Sequence, residues 1–320
     1  MVGSVIEVDT AGVERDPIMA GSTQQSRPGA DTWRRFRHNR LAVIGGVAVL
    51  LVVLMAVLAP ILAINDPNET DPYNPLIAPS LNHPFGTDNL GRDVLSRVIY
   101  GARVSVKVSL SVVVIAIAIG VPLGAVAGYW SGSLIDEGIM RLLDVFLAFP
   151  STVLAIAVMG VLGVKPTPIG PVHLGNISKI ALVMGVVFAP RFARVVRSVF
   201  LREGAEQYVE AARAIGESNV RIIFSEILPN SIVPIIVQAT YYMAVAILVE
   251  ASLSFLGIGI APPAASWGSM LSDARGYIIS GEWWFSVFPG VAILLTMAGF
   301  NLLGDGLRDA VDPRTRERGA

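Results

Sequence analysis

The chain has 320 residues, of which 53% are hydrophobic and only 15% are charged. Soluble domains usually carry about 25% charged residues, so this deficit indicates a membrane protein. The formal net charge of −1 argues against a nucleic-acid partner, because proteins that bind nucleic acids present a basic face. No cysteine is present, which excludes disulfides, zinc–thiolate sites and cysteine nucleophiles.

The first segment of the chain, residues 1–33, is polar and rich in Gly, Ser, Gln and Asp. It shows no hydrophobic periodicity, so we predict a disordered tail on the cytoplasmic side. It does not have the pattern of a signal peptide, because the first apolar run begins only at Leu41 and is too long. Residues 34–320 are predicted to form one transmembrane domain.

Six apolar segments follow, and each is long enough to cross a bilayer, which takes about 20 helical residues. They cover roughly residues 41–64, 103–129, 142–164, 180–200, 231–257 and 284–307. Pro150 interrupts the third segment, and Pro190 with three arginines lies in the fourth. Prolines are tolerated in membrane helices when neighbouring groups satisfy the freed backbone. The pattern therefore predicts an all-α integral membrane protein with about six spans.

The distribution of Lys and Arg predicts the orientation of these spans. With the N-terminus inside, 17 of the 24 basic residues fall on the cytoplasmic side. An even number of spans then places the C-terminus in the cytoplasm as well. The five tryptophans fall at or beyond the predicted span ends, as expected for rings that favour the headgroup layer.

Two sizeable segments are predicted on the outer side, residues 65–101 and residues 258–282. The first contains five prolines and then apolar residues at helical spacing, namely Val94, Leu95, Val98 and Ile99. We predict a short helix on the outer surface there, with Asp88 as its N-cap.

The cytoplasmic segment of residues 201–230 is predicted to form two short helices. The first covers about residues 205–215, and Gly216 ends it in a conformation with positive φ. The second begins at Asn219, is closed by Pro229, and carries four apolar residues on one side: Val220, Ile223, Phe224 and Ile227. Such a helical hairpin between two spans suits docking in the groove of a soluble partner, and an ordinary loop is the alternative.

One motif in this segment resembles a known family. Glu210, Ala211 and Ala212 are followed after three residues by Gly216 and later by Leu228 and Pro229. This spacing resembles the EAA loop of ABC-importer permeases, with Glu226 standing where the family has Ile. The resemblance implies that residues 201–230 are a coupling loop that sits in a cleft of an ATPase subunit.

Four further stretches resemble the second permease subunit of dipeptide, oligopeptide and nickel importers. They are HPFGTDNLGRDVLSRVIYGARVSV at 83–106, ASLSFLGIG at 251–259, SWGSMLSDAR at 266–275 and GDGLRDAVDPR at 304–314. The likeness covers almost everything from Arg34 onward. It implies a type I ABC importer permease fold in the bacterial plasma (inner) membrane.

The same resemblance implies the function and the partners. The chain would translocate di- or oligopeptides by alternating access, with nickel or another small solute as the alternative within the family. Its partners would be a second homologous permease subunit, two ABC ATPase subunits, an extracytoplasmic solute-binding protein and membrane lipids. A stand-alone secondary transporter is a rival, but such proteins often contain inverted repeats and the two halves here show none.

The sequence offers no catalytic or cofactor-binding residues. A P-loop needs Gly before its Lys, whereas Lys107 and Lys165 follow Val and Lys179 follows Ser. ATP and Mg are therefore expected on separate ATPase subunits. The three histidines, His38, His83 and His173, lie outside the predicted spans, which argues against a histidine-assisted serine nucleophile in the membrane.

Acidic residues leave two weaker alternatives. Gly304 and Asp305 with Asp144 suggest an intramembrane aspartyl protease, but Leu302 stands where that motif requires Gly. No metal site is predicted either, because the acidic residues near the C-terminus do not follow the alternation of an EF-hand loop.

Two carboxylates fall in or near predicted spans, and such residues usually face the interior of the bundle. Glu250 is a candidate for the translocation path, near a substrate amine, or for a helix–helix hydrogen bond or ion pair. Asp144 lies near the inner edge, one turn from Arg141, and we expect a structural role there.

Overall fold

The computed structural model describes residues 36–163, 167–169 and 172–311. The predicted tail over residues 1–33 lies outside this part of the chain, as does the last segment of 312–320. The described helices are α1 Arg40–Val57, α2 Ala59–Leu62, α3 Val94–Tyr129, α4 Leu134–Leu147, α5 Ser151–Leu162, α6 Asn176–Glu203, α7 Gln207–Ala214, α8 Asn219–Arg221, α9 Leu228–Phe255, α10 Trp267–Ala274 and α11 Trp284–Val311. A π-helical turn, Ile222–Ile227, joins α8 to α9.

The fold departs from the all-α prediction at one place. Two short strands, β1 Thr167–Ile169 and β2 Val172–Leu174, pair antiparallel between α5 and α6. Helices nevertheless make up most of the described residues.

Four helical segments are long and apolar enough to cross a membrane: Arg40–Val57, Val94–Tyr129, Asn219–Phe255 and Trp284–Ala310. Helices α4 and α5 meet at Pro150 with a bend of 80° and supply a fifth crossing if they act as one unit. The sequence predicted six spans. The predicted fourth span, over residues 180–200, is not among these segments and is part of α6, a continuous helix of 28 residues.

The predicted surface helix near residue 94 is instead the beginning of α3, which runs for 36 residues without a break. Its N-cap is Asp93, whose carboxylate accepts a hydrogen bond of 2.8 Å from the Ser96 N–H. The prediction of Asp88 as the cap was wrong. Asp88 is buried and pairs with the Arg92 side chain at 2.6 Å, so its carboxylate is used inside the loop.

Helices α3 and α6 approach each other closely along a row of glycines. A Cβ on Gly120 would lie 2.5 Å from the Ala189 carbonyl oxygen, and one on Gly124 would lie 2.4 Å from that of Ala193. Gly128 continues the row against α6. Small residues at four-residue spacing let membrane helices pack backbone against backbone.

Three clusters of buried apolar side chains hold the described helices together. The largest lies where α3, α5, α6 and α9 meet, around Phe188. A second, around Trp267, joins α1, α3, α9, α10 and α11. A third, around Phe200, lies where α3, α6 and α9 meet residues 201–230. The bundle therefore has one end closed by this last segment, which we call the EAA segment.

The opposite end of the bundle is closed by residues 65–93 and 256–283, which we call the cap. Trp267 of the cap is fully buried and its indole N–H donates to the Val98 carbonyl at 2.9 Å. The expectation that the tryptophans lie in a headgroup layer is therefore wrong for Trp267. Arg92 also joins the two parts of the cap, through Asp88 and, at 3.2 Å, Asp273.

Candidate functional site: the EAA segment

The first half of the EAA segment has the structure that the sequence predicted. Helix α7 ends at Ala214, and Gly216 follows with a φ of +83°. The Gly216 N–H donates to the Arg213 carbonyl and the Glu217 N–H to the Ala212 carbonyl, both at 3.1 Å. These two bonds form a Schellman motif, for which glycine is the favoured residue. A Cβ at Gly216 would touch nothing within 4 Å, so only the backbone conformation requires glycine.

The second half differs from the prediction. Residues 219–255 form one continuous helical stretch, with the π-helical turn before Leu228. Pro229 therefore does not close a short helix, as the sequence suggested, but lies in the first turn of α9. Proline is accepted in a first turn because its fixed φ suits the helix. The second half of the EAA segment and α9 are thus one continuous helical element.

The four apolar residues predicted on one side of this second half do not all lie in one environment, although Ile223 packs against the third buried cluster beside Ile227. Ile222 and Ile227 are fully buried, whereas Val220 and Phe224 are 66% and 63% exposed. The π-helical turn is the physical reason, because its wider winding shifts which residues share a side. Ile222 and Ile227 are five residues apart, the spacing of hydrogen-bonded residues in a π-helix.

The EAA motif residues divide between the exposed surface and the bundle. Glu210 and Ala211 are exposed, and Ala212 is buried against the cluster around Phe200. Leu228 is half-buried and Pro229 is exposed at the base of α9. Large apolar side chains surround the exposed part of the motif: Tyr208, Ile215, Val220 and Phe224. These side chains give the exposed part of the EAA segment an apolar surface.

Polar contacts fix the EAA segment to the helices. The Tyr129 hydroxyl, at the end of α3, donates to the Asn219 side-chain oxygen at 2.7 Å. The Arg213 guanidinium lies 5.7 Å from the centre of the Tyr129 ring, within cation–π range. The Asn230 amide donates to the Tyr208 hydroxyl at 3.1 Å, which ties α9 to α7. The segment is therefore attached to both α3 and α9 by side-chain contacts.

Glu250 lies near the other end of α9 and is completely enclosed. Its carboxylate accepts hydrogen bonds from the Ser105 hydroxyl of α3 at 3.3 Å and from the Ser254 hydroxyl at 2.8 Å. The Ser254 oxygen in turn accepts from the Ile260 N–H of the cap at 3.0 Å. These contacts make the helix–helix hydrogen bond that was one of the two expectations for Glu250.

The carboxylates that suggested a protease have other contacts. Asp144 pairs with Arg194 of α6, while the nearby Arg141 pairs with Glu137. Asp305 is exposed on α11. Within the described residues no hydrogen bond joins Asp144 to Asp305, so the two do not form a catalytic pair there.

Comparison with known proteins decides the family. Residues 120–317 match the family described as binding-protein-dependent transport system inner membrane component. Residues 27–81 match the N-terminal transmembrane domain of oligopeptide transport permease C. The chain belongs to the family of binding-protein-dependent transport system inner membrane components. The resemblance to an ABC importer permease subunit is thereby confirmed, and the permease is an inner-membrane transport component rather than a catalytic subunit.

Several curated relatives resemble the permease over nearly their whole length. The dipeptide transport system permease protein DppC of Alkalihalophilus pseudofirmus is 43% identical, over 90% of this chain and 91% of that one. The DppC protein of Haemophilus influenzae is 38% identical over 91% and 96% of the two chains. The di/tripeptide permease DppC of Pseudomonas aeruginosa is 41% identical over 90% and 93%.

A solved structure shows the same fold. The MetNI methionine ABC transporter in an inward-facing conformation matches with a TM-score of 0.52 and 20% identity. The match covers 68% of the permease and 96% of the other chain. The fold of an ABC importer permease, which the resemblance implied, is therefore confirmed.

Proposed function

We propose that the permease carries di- or oligopeptides across the bacterial inner membrane as one subunit of an ATP-driven importer. The observation that carries this proposal is the 38–43% identity to permeases named for dipeptide transport, over about nine tenths of both chains. Because the alignments span almost the full relatives, the permease has the same set of helices and loops with which to handle a solute. No observation favours nickel or another small solute.

The proposed assembly contains a second homologous permease, two ABC ATPases that bind ATP and Mg, and an extracytoplasmic solute-binding protein, surrounded by lipid. The family is described as binding-protein-dependent, which supports the solute-binding protein as a partner. The bias of basic residues supports placing the EAA segment and both termini in the cytoplasm. The cap then faces outward, where its exposed side chains Tyr73, Leu81 and Ile279 are available to the binding protein.

The EAA segment is proposed as the coupling element. Its exposed apolar tip, around Ile215 and Phe224, suits a cleft in the ATPase. Helix α9 is continuous from Leu228 to Phe255, so a push at its base is carried about 33 Å to the level of Glu250. Alternating access would follow as closure of the ATPases tilts α3 and α9 together.

Glu250 is proposed to keep α3, α9 and the cap in register while the helices tilt. Its side chain has no exposed surface, so it can touch a solute only in a conformation in which α3 and α9 separate. The contact between Glu250 and a peptide ammonium group that the sequence suggested therefore requires α3 and α9 to separate.

Uptake by the assembled complex tests the proposed function. The complex is reconstituted in proteoliposomes with its binding protein, and the ATP-dependent accumulation of labelled dipeptide, free amino acid and nickel is compared. Dipeptide accumulation that requires ATP is expected, and the permease alone should show no gradient-driven flux. Accumulation of nickel but not of dipeptide would contradict the proposal.

A further inference from the structure

Three arginines follow one another at three-residue intervals on α6, and they differ in their partners. Arg197 donates two hydrogen bonds of 2.7 Å to the Asp136 carboxylate. Arg194 pairs with Asp144. Arg191 has no carboxylate partner among the described residues, and its guanidinium lies 6.0 Å from the centre of the Phe188 ring.

Arg191 lies on α6 at the level of the glycine row of α3. It stands between Ala189 and Ala193, which contact Gly120 and Gly124 of α3. Those glycines precede the last residue of α3 by nine and five residues, or about 14 and 8 Å of helix. A guanidinium carries five N–H donors, which water or an anion must satisfy where no carboxylate of the chain pairs with it.

The surroundings of Arg191 are aromatic and partly open. The Arg191 side chain is half-buried, and the Phe188 ring beside it lies 5.0 Å from the Tyr242 ring. Tyr241, whose ring is 5.2 Å from that of Tyr242, is 52% exposed. A guanidinium with open donors is suited to a carboxylate, which it binds through two parallel hydrogen bonds.

We propose that Arg191 binds the C-terminal carboxylate of the peptide during its passage through the permease. This inference rests on the proposed function. Every unmodified dipeptide carries one such carboxylate whatever its side chains, so one fixed arginine can serve many sequences. The neighbouring Arg194 and Arg197 are already paired within the chain, so among these three arginines Arg191 is the one available to a passing anion.

The test compares Arg191→Gln with the control Arg194→Gln in proteoliposomes. The binding protein is saturated with either a dipeptide or its C-terminal amide, and the maximal uptake rate is measured for each. In the wild-type and Arg194→Gln complexes the dipeptide with a free C-terminal carboxylate should be transported faster than its C-terminal amide. In Arg191→Gln this preference should fall by roughly tenfold or more, as expected for a lost charged hydrogen bond. Arg191→Lys should restore part of the preference.

The outcomes separate this inference from the proposed function. Retention of the wild-type preference in Arg191→Gln would overturn the inference while peptide transport stands. Equal slowing of both substrates would show that Arg191 acts independently of the peptide carboxylate, and loss of the second permease from the purified complex would show a role in assembly; either result would also overturn the inference. Failure of the wild-type complex to transport any peptide would overturn the proposed function and this inference with it.

Discussion

Close packing between α3 and α6 predicts that Gly124 tolerates no side chain. A Cβ there would lie 2.4 Å from the Ala193 carbonyl oxygen and 2.8 Å from the Val196 Cβ. Ordinary contacts begin near 3.4 Å, so the helices must separate by about 1 Å, and the neighbouring contacts of Gly120 and Gly128 loosen with them. Overpacking of this kind costs about 1–3 kcal/mol. Gly124→Ala should therefore destabilise the permease even though alanine favours a helix by about 1 kcal/mol, and Gly124→Leu should do so more strongly.

Gly138 supplies the matched control, because it lies inside α4 and a Cβ there would touch nothing within 4 Å. Gly138→Ala should leave the stability unchanged or raise it by up to about 1 kcal/mol. The assay is the temperature at which the detergent-solubilised complex loses its monodisperse size-exclusion peak, at one fixed heating time. Equal midpoints for Gly124→Leu and wild type would refute the packing argument. A fall in the Gly138→Ala midpoint would show that glycine is needed for another reason.

Two further predictions concern the buried carboxylate and the orientation. Glu250→Gln keeps the shape and the acceptor oxygen for one serine hydroxyl, and its amide can donate to the oxygen of the other serine, so its yield of assembled complex should be near wild type. Glu250→Leu leaves buried hydroxyls unpaired and should lower the yield. Equal yields for the two variants would contradict the contacts described. Single cysteines placed at Ser80 and Ser280, which are both exposed on the cap, should react with an impermeant thiol reagent added outside intact cells. A cysteine at Ser218 should not react. Labelling at Ser218 under those conditions would contradict the proposed orientation.

The sequence predicted the structure correctly where a local rule determines the backbone conformation. Gly216 ends a short helix with positive φ because the Schellman motif is local, and Pro150 marks the bend between α4 and α5 for a similar reason. The EAA spacing led to the family, which the comparisons confirmed. The row of glycines at 120, 124 and 128 was also readable from its four-residue spacing, and the sequence analysis missed it.

Features that depend on tertiary contacts could not be read from the sequence. Asp88 and Asp93 are equally good N-caps by residue type, and the buried Arg92 beside Asp88 decides between them. Nothing local indicated the π-helical turn, so the sequence placed the exposed Val220 and Phe224 on one side with the buried Ile227. The pairing of Arg194 with Asp144 spans 50 residues and depends on how α4 folds back on α6.

The proposed coupling of the ATPases to transport by the EAA segment depends most directly on Gly216. Positive φ costs a residue with a Cβ about 1–2 kcal/mol, and a β-branched one more, whereas Asn tolerates it. Gly132, with a φ of +76° outside the EAA segment and no atom near its Cβ position, supplies a control with the same backbone strain.

The measurement is the number of peptides imported per ATP hydrolysed by the reconstituted complex, with assembly checked in parallel. Gly216→Val should lower this ratio severalfold with the complex intact, and Gly216→Asn and Gly132→Val should keep it near wild type. A wild-type ratio in Gly216→Val, or an equal fall in Gly132→Val, would contradict the assignment of the EAA segment as the coupling element.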